Sequence, residues 1–408
     1  MKNYILYLLA ALILPLPAAA GPGGDALTLP AALAAAKAGN PELSSARRQL
    51  GLLEAEVAVN SAYPNPSLEM EKSASGEDAY ELKAVQPVPL TRRTGTAKAA
   101  ARAVYDAAKE ELAALETRVL ASARKAWYAL RIAKERRSFE ETNLKFSMDI
   151  LNKIEMRLQT GEAGNADLAR AKVEASRSRF HLQEAQTRAS AAAGELNGLL
   201  GRRPDEPLEI SMNDGFSLAP VPAQPAPLEE YTRLALARRA EPRSLALSIK
   251  AADLSVSLEK SRRLPVPGLG LIRGKDGGTG YSKLFLGLEL PLWYNNKGEV
   301  KRALAQRAAL GYEEQRLELE IRREVYSAWL DVDLAQKRLA STRETVFLLN
   351  DLRRVASMDY LSGKIALTAF YETNRVFLEE NLNYLDALQD YYERTAQLDA
   401  AVNSGEAK

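Results

Sequence analysis

The chain contains no cysteine and one histidine, His181, among 408 residues. The first absence excludes disulfides, thiol nucleophiles and cysteine-based metal sites. The second leaves no transition-metal constellation of recognisable spacing, because a lone His on a charged helix is ordinarily a solvated surface residue. Charge of one sign is missing too: 55 Lys and Arg stand against 53 Asp and Glu, so nothing favours nucleic acid as a partner. Beyond residue 20 no apolar run reaches the length of a bilayer-spanning helix, so any insertion in a membrane must use strands. No nucleophile motif, phosphate-cradling Gly loop or paired metal ligands occur. The many Glu and Lys residues fall on helical stretches, where i,i+4 pairing accounts for them. Neither catalysis nor a bound cofactor is expected.

Residues 1–20, MKNYILYLLAALILPLPAAA, combine an early Lys, a short apolar run and a small-residue end. That pattern reads as a secretory signal cut near Ala20. Glycine and proline are absent from residues 97–160, and residues 299–362 hold one Gly and no Pro. Both stretches are rich in Ala, Leu, Glu, Lys and Arg, which are strong helix formers. Ordinary globular helices stop far earlier, so long helical hairpins are expected. Ala100, Ala107, Ala114 and Ala121 fall at heptad spacing, and Leu112, Val119, Ala126 and Ala133 form another stripe. Two stripes give a helix neighbours on both sides, whereas a two-stranded coiled coil needs only one.

The chain is written twice. Pro41 and Pro242, Pro64 and Pro265, Pro66 and Pro267, Pro89 and Pro291, Trp127 and Trp329, and Gly161 and Gly363 are each 201 or 202 positions apart. The first unit is expected over 21–212, with a β-hairpin near 66–88 and a long helical hairpin near 97–199. A Pro-rich connection follows at 213–227. The second unit covers 228–404, with a β-hairpin near 267–291 and a helical hairpin near 299–402. Short helices near 30–39, 41–62, 228–239 and 242–263 open the two units. Gly161 and Gly363 mark the ends of the long helices.

The strand signals are period-2 alternations: Leu68 and Met70, then Tyr80, Leu82 and Ala84, then Leu284, Leu286, Leu288 and Leu290. The connections 73–78 and 274–280 are polar and Gly-rich, as hairpin tips should be. Trp293 and Tyr294 follow the last strand, where aromatic side chains mark a membrane–water interface. Four strands cannot close a membrane barrel, whose smallest examples have about eight. Several copies must therefore share one, and geometry leaves two or three copies open.

Taken in order, these features resemble the TolC family of outer-membrane efflux proteins over nearly all of the mature chain. The residues that carry the resemblance are Asn40-Pro41-Glu42-Leu43, Tyr63–Pro66 and the Pro-Leu pairs at 89–90 and 291–292. To these are added Arg157–Gly161 followed by Asp167-Leu168, and Tyr360–Gly363. The resemblance implies a mainly α fold with a membrane β-barrel: a homotrimer with a twelve-helix α-barrel and a shared twelve-stranded β-barrel. It implies an outer-membrane exit duct extending into the periplasm in outer-membrane lipid. Its partners would be a periplasmic adaptor and an inner-membrane pump of the RND type. A secreted periplasmic coiled-coil scaffold or adaptor is the alternative.

By the same resemblance, the adaptor docks on tips formed by Arg157, Gly161, Asp167, Leu168, Tyr360, Gly363 and Phe370. Leu168, Leu361, Ile365 and Phe370 are read as docking residues because a tip offers no core for them. Asp167 and Glu372 are gate candidates, although the second tip has Ala369-Phe370 where the first has Asp167-Leu168. Missing lipid-acceptor Cys and short length make the chain similar to the heavy-metal (Czc-type) subgroup. In the sheet, Leu284, Leu286 and Leu288 are expected to face lipid, and Phe285, Gly287 and Glu289 the lumen. Arg is therefore expected to be far better tolerated at Gly287 than at Leu286.

Overall fold

A computed structural model describes residues 26–72, 79–89, 91–212, 225–276, 278–288 and 290–403. The signal segment, the hairpin tip 73–78 and most of the 213–227 connection lie outside the described residues. The elements run α1 (Leu29–Gly39), α2 (Pro41–Ser61), β1 (Ser67–Lys72), β2 (Tyr80–Pro87), α3 (Arg93–Gln159) and α4 (Asn165–Leu199). The same order then repeats as α5 (Leu228–Arg238), α6 (Ala240–Ser261), β3 (Pro267–Asp276), β4 (Thr279–Leu288), α7 (Lys297–Leu361) and α8 (Leu367–Val402).

Local chemistry explains the breaks. Asn40 is the N-cap of α2: its Oδ1 accepts from the N–H groups of Glu42 at 3.0 Å and Leu43 at 3.2 Å. Pro41 follows at the first helical position, where its missing N–H costs nothing. The Asn40 Nδ2 donates to the Leu199 carbonyl at 3.0 Å, so one buried side chain starts α2 and closes α4. Helices α3 and α7, of 67 and 65 residues, are each about 100 Å long at 1.5 Å per residue.

The long helices form the frame of a slab one helix thick. Toward the sheet, α3 lies between α2 and α6; toward the tips it lies between α4 and α8. Helix α7 packs on α6 and then α8, on the side away from α3. The slab therefore reads α2/α4, α3, α6/α8, α7 from edge to edge, and its two edges are unlike. On α3, Ala100, Ala107, Ala114, Val119 and Ala126 are buried, while Ala121, Leu112 and Ala133 are half-buried. Small side chains on both stripes let α3 take neighbours on both sides.

The four strands make one antiparallel sheet in the order β1-β2-β3-β4. Its register aligns Leu68, Ala84, Leu271 and Leu284 in one row, with Leu269 opposite Leu286. That face is apolar and bare, Leu284 being 91% exposed and Leu286 71%. The other face carries Glu69, Glu81, Lys83, Tyr281, Lys283 and Phe285. There Lys83 pairs with Glu69 at 3.2 Å and Tyr281 donates to Glu81 at 2.8 Å. Both the helical slab and the sheet end in unpaired edges within one chain.

Two expectations change. The second hairpin tip is shorter than 274–280, because β3 runs to Asp276 and β4 starts at Thr279, with Gly278 at φ +89°. Gly287 shares a face with Phe285, but it is not a roomy position: a Cβ there would lie 2.8 Å from the Phe285 ring. A side chain there must first displace the far edge of that ring. Glu289 lies outside the described residues. None of the described helices is long and apolar enough to cross a membrane.

Candidate functional site

Two regions have the makings of a site: the helical tips and the opposite end, where helices meet sheet. At the first tip α3 stops in a Schellman turn. The Glu162 N–H donates to the Arg157 carbonyl at 2.8 Å and the Gly161 N–H to the Leu158 carbonyl at 3.1 Å, with Gly161 at φ +78°. The second tip repeats the turn 202 positions later. Lys364 donates to Asp359 at 2.8 Å and Gly363 to Tyr360 at 3.0 Å, with Gly363 at φ +76°. Glycine is needed at both because φ is positive. Open space surrounds the position of a Cβ at either one.

The tips possess a core of their own, which the sequence reading denied. Ile150, Ile154, Ala171, Ala356, Tyr360, Leu367 and Phe370 are buried together, with Leu168 and Ile365 packed against them. Tyr360 and Phe370 stack at 5.3 Å between ring centroids, and Phe146 lies 6.0 Å from Phe370. Phe370 is fully buried and Tyr360 is 7% exposed, so neither is displayed for docking; they hold α7 and α8 against α3. Leu361 remains exposed. Arg157 reaches across the two hairpins, its guanidinium 5.6 Å from the Tyr360 ring and its Nε 3.6 Å from Glu162. Burial pushes the Tyr360 hydroxyl above its usual range.

The two gate candidates do not meet. Asp167 accepts from the Gly164 N–H at 3.3 Å and so caps α4. Glu372 is held by Arg375 at 2.6 Å on its own helix, a bond that lowers its carboxyl below the usual range. Glu372 lines a groove of about 870 Å³ between α4 and α8, with His181, Arg177 and Val173 on the facing wall. His181 has Glu184 at 3.8 Å. The floor is polar: Asn143, Ser178 and Asn374 are buried there beside Glu140, which is 5% exposed, and Ser147 bonds Ser178 at 2.8 Å behind them. Desolvation raises the Glu140 carboxyl, offset in part by His181, Asn143 and Arg136. No sequence signal marked this layer, because its members are scattered over α3, α4 and α8.

At the other end, Trp293 stands 98% exposed just past β4, on the side where Leu290 and Leu292 are also bare. Tyr294 is 59% exposed, and its hydroxyl donates to the Glu299 carboxylate and accepts from the Gly298 N–H at 3.1 Å. Both rings are therefore exposed, and only the Tyr294 hydroxyl is engaged.

Comparison with known proteins agrees with this architecture. Residues 232–404 match the family model described as "Outer membrane efflux protein". The chain is 23% identical over 392 residues to the cobalt-zinc-cadmium resistance protein CzcC of Cupriavidus metallidurans, spanning 93% of this chain and 90% of that one. It is 21% identical over 383 residues to the outer membrane efflux protein BepC of Brucella suis, spanning 89% and 79%. Among solved structures, CusC superposes with a TM-score of 0.77 at 16% identity, covering 92% of this chain and 91% of that one.

Proposed function

We propose that the chain is the outer-membrane exit duct of a tripartite efflux assembly, a reading supported by the match of residues 232–404 to the outer membrane efflux protein family and by the likeness to CzcC along 93% of the chain. It sits in the outer membrane with its helical slab in the periplasm, and a periplasmic adaptor joins it to an inner-membrane RND pump. One observation carries the reading. Slab and sheet have matching open edges in a single chain, four helices and four strands wide, and copies placed side by side close both at once. Three copies supply twelve helices and twelve strands.

The exposed apolar residues support closure by neighbours. On the outer edge helix α7, Tyr312, Leu319 and Tyr326 recur at heptad spacing and continue through Leu330, Leu334, Leu348 and Leu352, all exposed. On the opposite edge, Leu52, Val59 and Phe180 are exposed. A periplasmic scaffold would leave the bare leucine rows of the sheet in water, which counts against that alternative. The likeness to CzcC supports divalent transition-metal cations as cargo.

The adaptor reading rests on the two Schellman turns and the exposed groups beside them, with Asp167 and Glu372 at the rim. Native mass measurement in mild detergent should give a three-chain species. Deleting the gene should sensitise cells to cobalt, zinc or cadmium, with restoration only when adaptor and pump are present. A stable folded monomer in the membrane would overturn the closure, and unchanged metal tolerance would overturn the cargo.

A further inference from the structure

The helix ends that meet the sheet carry charge of one sign. Residues 91–105, 257–264 and 290–305 hold ten Lys and Arg and two acids, in a chain whose overall charge is nearly balanced. The three segments form one belt. Arg93 donates to the carbonyls of Ser261 at 3.0 Å and Leu264 at 3.2 Å, tying the start of α3 to the end of α6. Asn296 donates to the Glu259 carbonyl at 2.8 Å and carboxylate at 2.7 Å, tying the start of α7 to the same place.

The two acids are already engaged, Glu259 by Arg262 at 2.8 Å and by Asn296, and Glu299 by Tyr294. Arg92, Lys98, Arg263, Lys297, Lys301 and Arg302 are exposed and make no ion pair among the described residues. Directly beyond them come Trp293 and the bare leucine rows of the sheet. Apolar strands, an aromatic group and then unpaired cations is the order in which a bilayer presents acyl chains, interface and headgroups.

We propose that this basic collar binds the anionic headgroups of phospholipids in the periplasmic leaflet of the outer membrane. The long Lys and Arg side chains lay their stems along the interface and place their charges at phosphate level. Arg adds paired N–H donors to the phosphate oxygens. The proposal rests on the membrane placement of the sheet, and the test separates the two.

Wild-type protein is reconstituted into vesicles of phosphatidylcholine alone and into vesicles that also contain phosphatidylglycerol. Insertion into both is the membrane reading; failure to insert into either would remove it and the collar with it. Lipids retained on the protein are then counted by native mass spectrometry. Phosphatidylglycerol is expected to be retained over phosphatidylcholine by roughly tenfold, with the preference falling to parity in an Arg92→Gln, Arg263→Gln, Lys301→Gln variant. In the wild type it should collapse in about 0.5 M salt, where charges are screened beyond a few ångströms. Equal retention of the two lipids, or a preference that survives salt or the triple substitution, overturns the proposal. So does equal displacement by soluble glycerol 3-phosphate, which would make the ligand a solute. The salt arm uses wild-type protein, so it decides even if the variant does not fold.

Discussion

Trp127 and Trp329 perform the same task in the two halves of the chain. The Trp127 indole N–H donates to the Leu27 carbonyl at 3.3 Å, and the Trp329 indole N–H to the Ala226 carbonyl at 3.0 Å. Each long helix is thereby pinned to the segment that leads into its own repeat. Trp127 is buried in a cluster with Ala32, Ala36, Leu130 and Leu196, whereas Trp329 packs beside Val332 and Leu398.

Replacing Trp127 with Phe should cost about 1 kcal/mol, because one hydrogen bond is lost while the Ser211 N–H still serves the Leu27 carbonyl at 3.2 Å. Replacing it with Ala should cost about 3–5 kcal/mol, the usual loss for emptying a large aromatic site. Thermal unfolding of the purified protein measures both. Similar losses for Phe and Ala would mean that the hydrogen bond, and not the packing, dominates.

The sheet faces make a paired test. Leu286→Arg should destabilise by about 2–4 kcal/mol, since it puts a charge on the lipid side. Glu71→Arg, on the opposite face, should change stability by less than about 0.5 kcal/mol. Urea unfolding in the presence of lipid reports the difference. Equal losses at the two positions would show that the apolar rows do not face lipid.

At the tips, Gly161→Arg and Gly363→Arg each force a side chain onto positive φ, a strain of about 1 kcal/mol. With open space around both positions, assembly should survive and efflux should fail. Metal or drug export is assayed beside trimer abundance. Normal efflux with both turns altered, or efflux lost only with the trimer, would move the docking site elsewhere.

Glu140 sets a pH dependence. Burial raises its folded pKa above the ordinary 4.5, so the folded state holds the proton more tightly than the unfolded chain. The stability from this group is present in full below 4.5 and is lost as pH rises from there through the raised folded value. Glu140→Gln should abolish that slope and raise the melting temperature at neutral pH. A slope unchanged in the variant would assign the pH dependence to other groups.

Much of this architecture is legible in sequence, since periodicity and punctuation report it directly. The 202-residue spacing of Gly161 and Gly363 marks two identical turns because positive φ demands glycine in both. Alternation of Leu284 with Phe285 reports the two sheet faces because the strand period is two. What the sequence hides depends on contacts between distant segments. Phe370 looks like a docking residue until Phe146 and Tyr360 are seen to enclose it. Gly287 looks spacious until the Phe285 ring is found lying over it. The Glu140 layer is invisible for the same reason, as each polar residue is unremarkable on its own helix.

The unlike edges of the slab also have a genetic consequence. Even an isologous pair mixing freely would leave only about one pair in four without a damaged copy. Here the α7 edge of one copy must accept the α2/α4 edge of the next, so every ring uses every copy on both sides. If a damaged edge and an intact one are made in equal amounts and mix freely, only about one ring in eight would contain no damaged copy, for three copies per ring. Lesions on the α7 stripe should therefore behave as dominant alleles, while lesions in the buried core that destroy the single chain should be recessive.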